Sequence, residues 1–346
     1  MREISFCDAL NEAIFQSMER DSSIIIYGIG VPDHKKIFGT TSRLLEKFGQ
    51  DRVFDTPLSE DTMAGFGLGA AINGLKPIHV HIRVDFLLLA MNQLTNLISS
   101  YNYMTDGINV PIVIRAIIGR GWGQGMQHGK SLQSLFAHIP GLKVVMPTMG
   151  YDVKGLFNSA IQDPNPVIFL EHRWLYWATD NVPEEYYTLP LGKGLVRKEG
   201  KDLTIVATSW MNIEAKRAIT ILEEAHGLSI ELIDPLTISP LDDSIILESV
   251  KKTGALLVID NDWLNCGFSA EVISRVSEKG FNFLRLHPRR IGFAETPCPT
   301  VRCLENKFYP NAVSIVREVE DMFLLLQVPI DEFQMYSHEN KFKGPF

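Results

Sequence analysis

Short apolar runs alternate along this chain with longer stretches that are apolar on one face only. Ala9, Leu10, Ala13, Ile14 and Met18 recur at helical spacing and predict a helix over 5–20. Residues 23–27 follow as a β-branched run that reads as a buried strand. The alternation continues with a helix over 41–48, a strand from 52 to 54, a Gly- and Ala-rich helix over 62–73 and a strand over 78–82. A long helix is expected over 85–103, strands over 111–116, 143–146 and 167–170, and helices over 131–137 and 153–161. Strands this short and this uniformly apolar, separated by helices, predict an α/β domain whose largely parallel sheet carries helices on both faces.

The pattern changes near residue 175. Between 180 and 190, Pro183, Glu184, Glu185, Tyr186, Tyr187 and Pro190 show little periodicity and read as a linker. Strands over 203–207, 229–233 and 255–259 then alternate with helices over 213–224, 241–252 and 269–278, which gives a second, smaller α/β domain. The expected boundaries are 1–178 for the first domain, 179–200 for the linker, 201–328 for the second domain and 329–346 for a polar, aromatic C-terminal extension.

A length of 346 residues agrees with two domains. With 45% hydrophobic and 21% charged residues the chain is globular rather than disordered. A net charge of −8 argues against a grip on nucleic acid or anionic lipid, because phosphate binding wants a basic face. No apolar run approaches the roughly 18 residues of a membrane span, and the acids Glu3 and Asp8 stand where a signal peptide would be apolar. A cytoplasmic protein is the expectation. The four cysteines, Cys7, Cys266, Cys298 and Cys303, form no CxxC and are expected as reduced thiols.

Few stretches carry chemistry. His79 and His81 share one face of a strand, either as pleat alternation or as a metal pair. Gly65, Gly67 and Gly69 are spaced GxGxG inside a helical pattern, which favours close helix packing over phosphate binding. In Asp55-Thr56-Pro57-Leu58-Ser59-Glu60 a strand ends at the proline and a helix begins with an acid in its first turn. Glu60 there complements the helix dipole or lies where ligands bind, at the C-terminal end of a strand, and both readings stand. Four glycines between 119 and 125 make a loop that leads to His128 just ahead of a helix, where an imidazole tends to be neutral.

Together these segments resemble the β subunit of the heterotetrameric, thiamin diphosphate-dependent E1 component of 2-oxo acid dehydrogenases, within the transketolase superfamily. The resemblance runs through residues 47–60, 64–77, Gln127-His128, the 137–147 stretch ending in Met146-Pro147, Lys154-Gly155-Leu156, 163–167 and 233–242, and covers about residues 3 to 325. It implies a pyrimidine-binding domain followed by a transketolase C-terminal domain. It implies that Glu60, buried, bonds the ring nitrogen of the cofactor's aminopyrimidine and promotes the tautomer that takes the thiazolium proton. It implies further that Phe86 stacks on the pyrimidine, that Leu58 also contacts the cofactor and that His128 handles protons on substrate or acyl carrier. Potassium held by backbone carbonyls at Ile112, Ala160, Asp163 and Asn165 belongs to the same pattern. The superfamily's diphosphate and Mg2+ motif, GDG followed by an Asn, has no counterpart: Asp106-Gly107 lacks the leading glycine. The resemblance therefore implies an α subunit that carries the diphosphate and Mg2+, in an α2β2 heterotetramer with β–β contact.

Some positions depart from the family. Gly28-Ile29-Gly30-Val31 lacks the usual acid after the first strand, which leaves the proposed acidic link between the two active sites without a counterpart. Ile82-Arg83-Val84-Asp85-Phe86 replaces a Met-Thr-Phe-Asn-Phe stretch, and Trp122 and Gln124 replace small residues in the glycine loop. Arg83 either holds a carboxylate or phosphate or pairs with Asp85 at the surface. Arg83, Asp85, Trp122 and Gln124 are thus candidate substrate residues. The leading functional reading is an E1 β subunit whose acyl unit passes to a lipoyl-bearing E2. The alternative is a carboligase or transketolase-like half-enzyme that passes a two-carbon unit to an aldehyde, ketone or sugar. A non-catalytic scaffold is the second alternative.

Overall fold

The computed structural model describes residues 2–119 and 124–331. The chain divides into two compact units: residues 1–121, 127–191 and 238–240 form the first, and residues 122–126, 192–237 and 241–346 the second.

The first unit begins with β1 (Arg2–Ser5), α1 (Phe6–Arg20), β2 (Ile24–Tyr27), α2 (Leu44–Phe48), β3 (Val53–Phe54), α3 (Glu60–Ile72), β4 (Lys76–His81) and α4 (Val84–Leu87). It continues with α5 (Tyr101–Met104), β5 (Val113–Ile118), α6 (Gln133–Ala137), β6 (Lys143–Val145), α7 (Gly150–Gln162), β7 (Val167–His172) and β8 (Thr179–Val182). The sheet order is β6-β7-β5-β4-β2-β3, with every pair in that run parallel. All residues of β2, β5 and β7 are buried, as expected of strands covered on both faces. The predicted apolar stripe of α1 is buried, and Ser5 caps the helix by accepting from Asp8 N.

The second unit holds β9 (Leu195–Lys198), β10 (Leu203–Ala207), α8 (Trp210–His226) and β11 (Ile230–Asp234). β12 (Thr237–Ser239) leaves it and extends the first sheet beside β6. The second unit then resumes with α9 (Asp243–Thr253), β13 (Leu256–Trp263), α10 (Phe268–Gly280), β14 (Arg289–Phe293), α11 (Arg302–Phe308) and α12 (Ala312–Met322). Its sheet runs β14-β13-β10-β11-β9, parallel except for β9. One side of that sheet packs on α8 and α12 through Ile205, Leu257, Ile219 and Val316.

Two expectations change. The helix predicted over 85–103 is broken into α4, a 3-10 turn at Leu88–Ala90, a π-helical stretch at Gln93–Ile98 and α5. Thr95 and Ser99 donate their hydroxyls back to Met91 O and Thr95 O, and Ser99 N reaches Leu94 O five residues back. Such hydroxyl back-bonding loosens the regular ladder. The stretch read as linker also carries structure. Thr179–Val182 pairs antiparallel with Arg2–Ser5, and Leu189 N donates to Gly155 O on α7. Backbone pairing needs no apolar periodicity, so the pattern could not announce it. The C-terminal extension past Asp331 lies outside the described residues.

A buried ion pair joins β5 and β7 in the first core. Arg115 on β5 donates from Nε to Glu171 Oε1 at 2.6 Å and from Nη2 to Oε2 at 2.8 Å. Tyr176 Oη donates to the same carboxylate at 2.7 Å, and Thr40 Oγ1 accepts from Arg115 at 3.0 Å. A charge left alone in that interior is expensive. Glu171→Ala is therefore expected to cost about 3–5 kcal/mol in denaturant unfolding, while Lys47→Ala, on an exposed pair, costs under about 1 kcal/mol.

Candidate active site

The connections of the first sheet diverge at β2: β3 lies on one side of it and β4 on the other. In open α/β sheets such a divergence leaves a crevice at the strand C-termini. A cavity of about 140 Å³ occupies it here. Ile29 after β2, Thr56 to Leu58 after β3, Glu60 and Met63 on α3, and His79 to Ile82 with Phe86 around the end of β4 line it. The lining is mainly apolar, and the volume is close to that of a cavity that takes a benzene ring.

Close packing makes this arrangement possible. Gly28 has a φ of +149°, and a Cβ there would lie 2.3 Å from Val80 O. A Cβ on Gly67 would lie 2.3 Å from Tyr27 Oη and 2.7 Å from Ile112 Cδ1, so α3 rests directly on the sheet. The glycine run is thus a packing device at Gly67. Gly65 meets only the Gln93 side chain, and Gly69 faces open space. Tyr27 Oη donates to Met63 O and joins the underside of α3 to β2.

Glu60 is the first residue of α3 and the one carboxyl group among the lining residues. It is half-buried in this chain rather than buried, because the cavity mouth is open on its side. Leu58 at that mouth is 82% exposed and Phe86 37%. Phe86 meets the His128 ring edge-on, with centroids 5.3 Å apart at 87°. The structure thus brings Leu58, Glu60, Phe86 and His128 into one neighbourhood.

In the sequence the floor reads as pleat alternation or a metal pair, not as part of the cofactor cavity. His79 stacks on Tyr27 at 4.6 Å and its ring lies 4.2 Å from that of His81. His79 Nδ1 and His81 Nε2 are buried without hydrogen-bond partners. No group of three or more His, Cys, Asp or Glu suited to a metal occurs among the described residues. The shared face was visible in the sequence; its position under the cavity depends on strand order.

The candidate substrate residues fare differently. Arg83 is buried, and its Nη1 donates to Gly119 O at 2.8 Å. Asp85 receives Lys130 Nζ at 2.8 Å, so the surface pair between Arg83 and Asp85 is not what forms. Neither side chain lines the cavity. Gln124 groups with the second unit, and Trp122 lies outside the described residues. Ile112, Ala160, Asp163 and Asn165 gather around the start of β7. Ile112 O accepts from Val167 N, Ala160 O from Asp163 N, and Asp163 pairs with Lys143. All four cysteines are free. No helix among the described residues is long and apolar enough to cross a membrane.

Comparisons with known proteins identify the two α/β units, with an apolar cavity at the first unit's switch point, as transketolase-like. Residues 2–177 match the transketolase pyrimidine binding domain and residues 192–315 the transketolase C-terminal domain. A split-gene transketolase, described as an inactive β4 tetramer, shares the fold with a TM-score of 0.75 at 22% identity over 94% of this chain and 99% of its own. The pyruvate dehydrogenase E1 component subunit β of Acholeplasma laidlawii is 41% identical, covering 93% of this chain and 98% of its own. The acetoin:2,6-dichlorophenolindophenol oxidoreductase subunit β of Bacillus subtilis is 37% identical, covering 91% and 96%. The chain belongs to the E1 β-subunit family of thiamin diphosphate-dependent 2-oxo acid dehydrogenases, and that membership implies dependence on thiamin diphosphate.

The histidine floor makes a prediction about acid. Burial pushes His81 down to about 4 and His79 well below 6.5, the latter helped by its neighbour's charge. Unfolded histidines titrate near 6.5, so the unfolded chain binds more protons as pH falls from there toward 4. Stability is lost in that window. His81→Gln is expected to flatten the fall of Tm between about pH 6.5 and 4.5; an unchanged slope in scanning calorimetry would contradict the buried neutral pair.

Proposed function

We propose that this chain is the β half of a thiamin diphosphate enzyme that decarboxylates a 2-oxo acid and hands on the acyl unit. The observation that carries the reading is Glu60 on the rim of an apolar, ring-sized cavity that it shares with Phe86. The residues present fit a flat aminopyrimidine: apolar walls on its faces and one carboxyl group at its edge. Bound thiamin diphosphate supplies a nucleophilic carbon and an electron sink for decarboxylation. Glu60 holds and moves the proton at the pyrimidine ring nitrogen, which is general acid–base work. Phe86 and Leu58 cover the ring and keep water from it, and His128 stands by Phe86 to exchange protons with substrate or acceptor.

The half-exposed Glu60 and the bare Leu58 support a partner that completes the pocket. An α-type subunit carrying the diphosphate and Mg2+ fits this need, in an α2β2 tetramer with β–β contact. A potassium ion on the carbonyls at Ile112, Ala160, Asp163 and Asn165 belongs to the same reading, since a carbonyl that already accepts one hydrogen bond keeps a second lone pair. The acceptor is a lipoyl-bearing E2, in line with the relatives named as pyruvate dehydrogenase and acetoin oxidoreductase subunits. The chain's site is proposed to work in the cytoplasm.

Affinity purification from the native host, followed by mass identification, tests the assembly. An α-type chain with a lipoyl protein is the expected result. An α-type chain without one points to a small aldehyde or sugar acceptor, and no α-type chain overturns the reading. In the purified complex, Glu60→Ala is expected to lower turnover by roughly 10²–10⁴-fold; full activity would remove Glu60 from the site.

A further inference from the structure

His128 sits in a stretch with little regular structure of its own. A 3-10 turn, Gly125–Gln127, precedes it, and the next helix starts only at Gln133. Its ring touches Phe86 edge-on, and one aromatic edge contact does not fix a side chain's direction. A second connection lies two residues further on. Lys130 Nζ donates to Asp85 Oδ1 at 2.8 Å, and Asp85 immediately precedes Phe86 on α4. The Asp85 side chain is only 6% exposed, and its other oxygen, Oδ2, is buried without a partner. Val84 and Leu87, fully buried on either side, hold α4 in place.

We propose that the Asp85–Lys130 ion pair is a positioning device that locks the His128 segment onto the Phe86 turn, and so sets the direction of the His128 ring. The inference rests on the reading of His128 as an acting group in the site. Two residues of chain reach at most about 7 Å, so anchoring Lys130 confines His128 closely. With its carboxylate side buried, the pair is screened less by salt than the fully exposed pairs elsewhere on the chain. Neither Asp85 nor Lys130 lines the cavity, so both act through His128 rather than on a ligand.

The test uses the chain with its co-purified partner. The reaction of diethyl pyrocarbonate with His128 is followed by peptide mass spectrometry in the parent, Asp85→Asn, Lys130→Met and the double variant. Each single change is expected to speed modification of His128 roughly threefold or more, with the double no faster than the faster single. The buried His79 and His81 report on folding: their rates stay at parent values in an intact protein. Lys130→Met, on the more exposed partner, remains readable if Asp85→Asn fails to fold. Turnover is measured with pyruvate or acetoin and 2,6-dichlorophenolindophenol. Asp85→Asn is expected to lower kcat about 10-fold or more with His128 present, and by less than about twofold in a His128→Ala background. An unchanged modification rate, or equal kcat losses in both backgrounds, overturns the proposal. If His128→Ala alone keeps full activity, the role of His128 fails, while the modification rates still decide the tether.

Discussion

The close approach of α3 to the sheet governs the rest of this structure. At Gly67 the helix comes so near that a single added carbon would overlap Tyr27 Oη and Ile112. That contact, with the bond from Tyr27 to Met63 O, sets how far the first turn of α3 stands from the ends of β2 and β4. The space left between them is the ring-sized cavity, and Glu60 overlooks it because it opens the helix. A wider separation would flood the space with water, and a narrower one would close it.

The electrostatics of the cavity follow from the same packing. Its floor holds two histidines that burial keeps neutral, and Glu60 is the one carboxyl group among its lining residues. Other strong charges nearby are spoken for. Arg115 is locked to Glu171, Lys130 to Asp85, and Arg83 to the carbonyl of Gly119.

Much of this was legible in the sequence, and the reasons are local. The short β-branched run Ile24-Ile25-Ile26-Tyr27 reads as a buried strand, and the stripe of α1 marks the face turned to a core. Glu60, Phe86 and His128 were singled out by the distinctive residues that flank them, and the structure places Glu60 and Phe86 at one cavity with His128 against Phe86. The long-range consequences were hidden. The partner of Asp85 is Lys130, forty-five residues on, and no spacing rule links the two. The placement of His79 and His81 under the cavity needs the strand order, which periodicity does not contain. The broken helix after α4 was missed because its hydroxyl back-bonds compete with a pattern that still looks helical.

This chain is proposed to hold the pyrimidine half of a cofactor site and to need a second chain for the diphosphate. Calorimetric titration of thiamin diphosphate with Mg2+ tests it most directly, first into the isolated chain and then into its complex with an α-type partner. No saturable heat is expected from the isolated chain up to about 1 mM, a range that corresponds to roughly −4 kcal/mol of binding free energy, and clear saturation in the complex. Tight, stoichiometric binding by the isolated chain would contradict it.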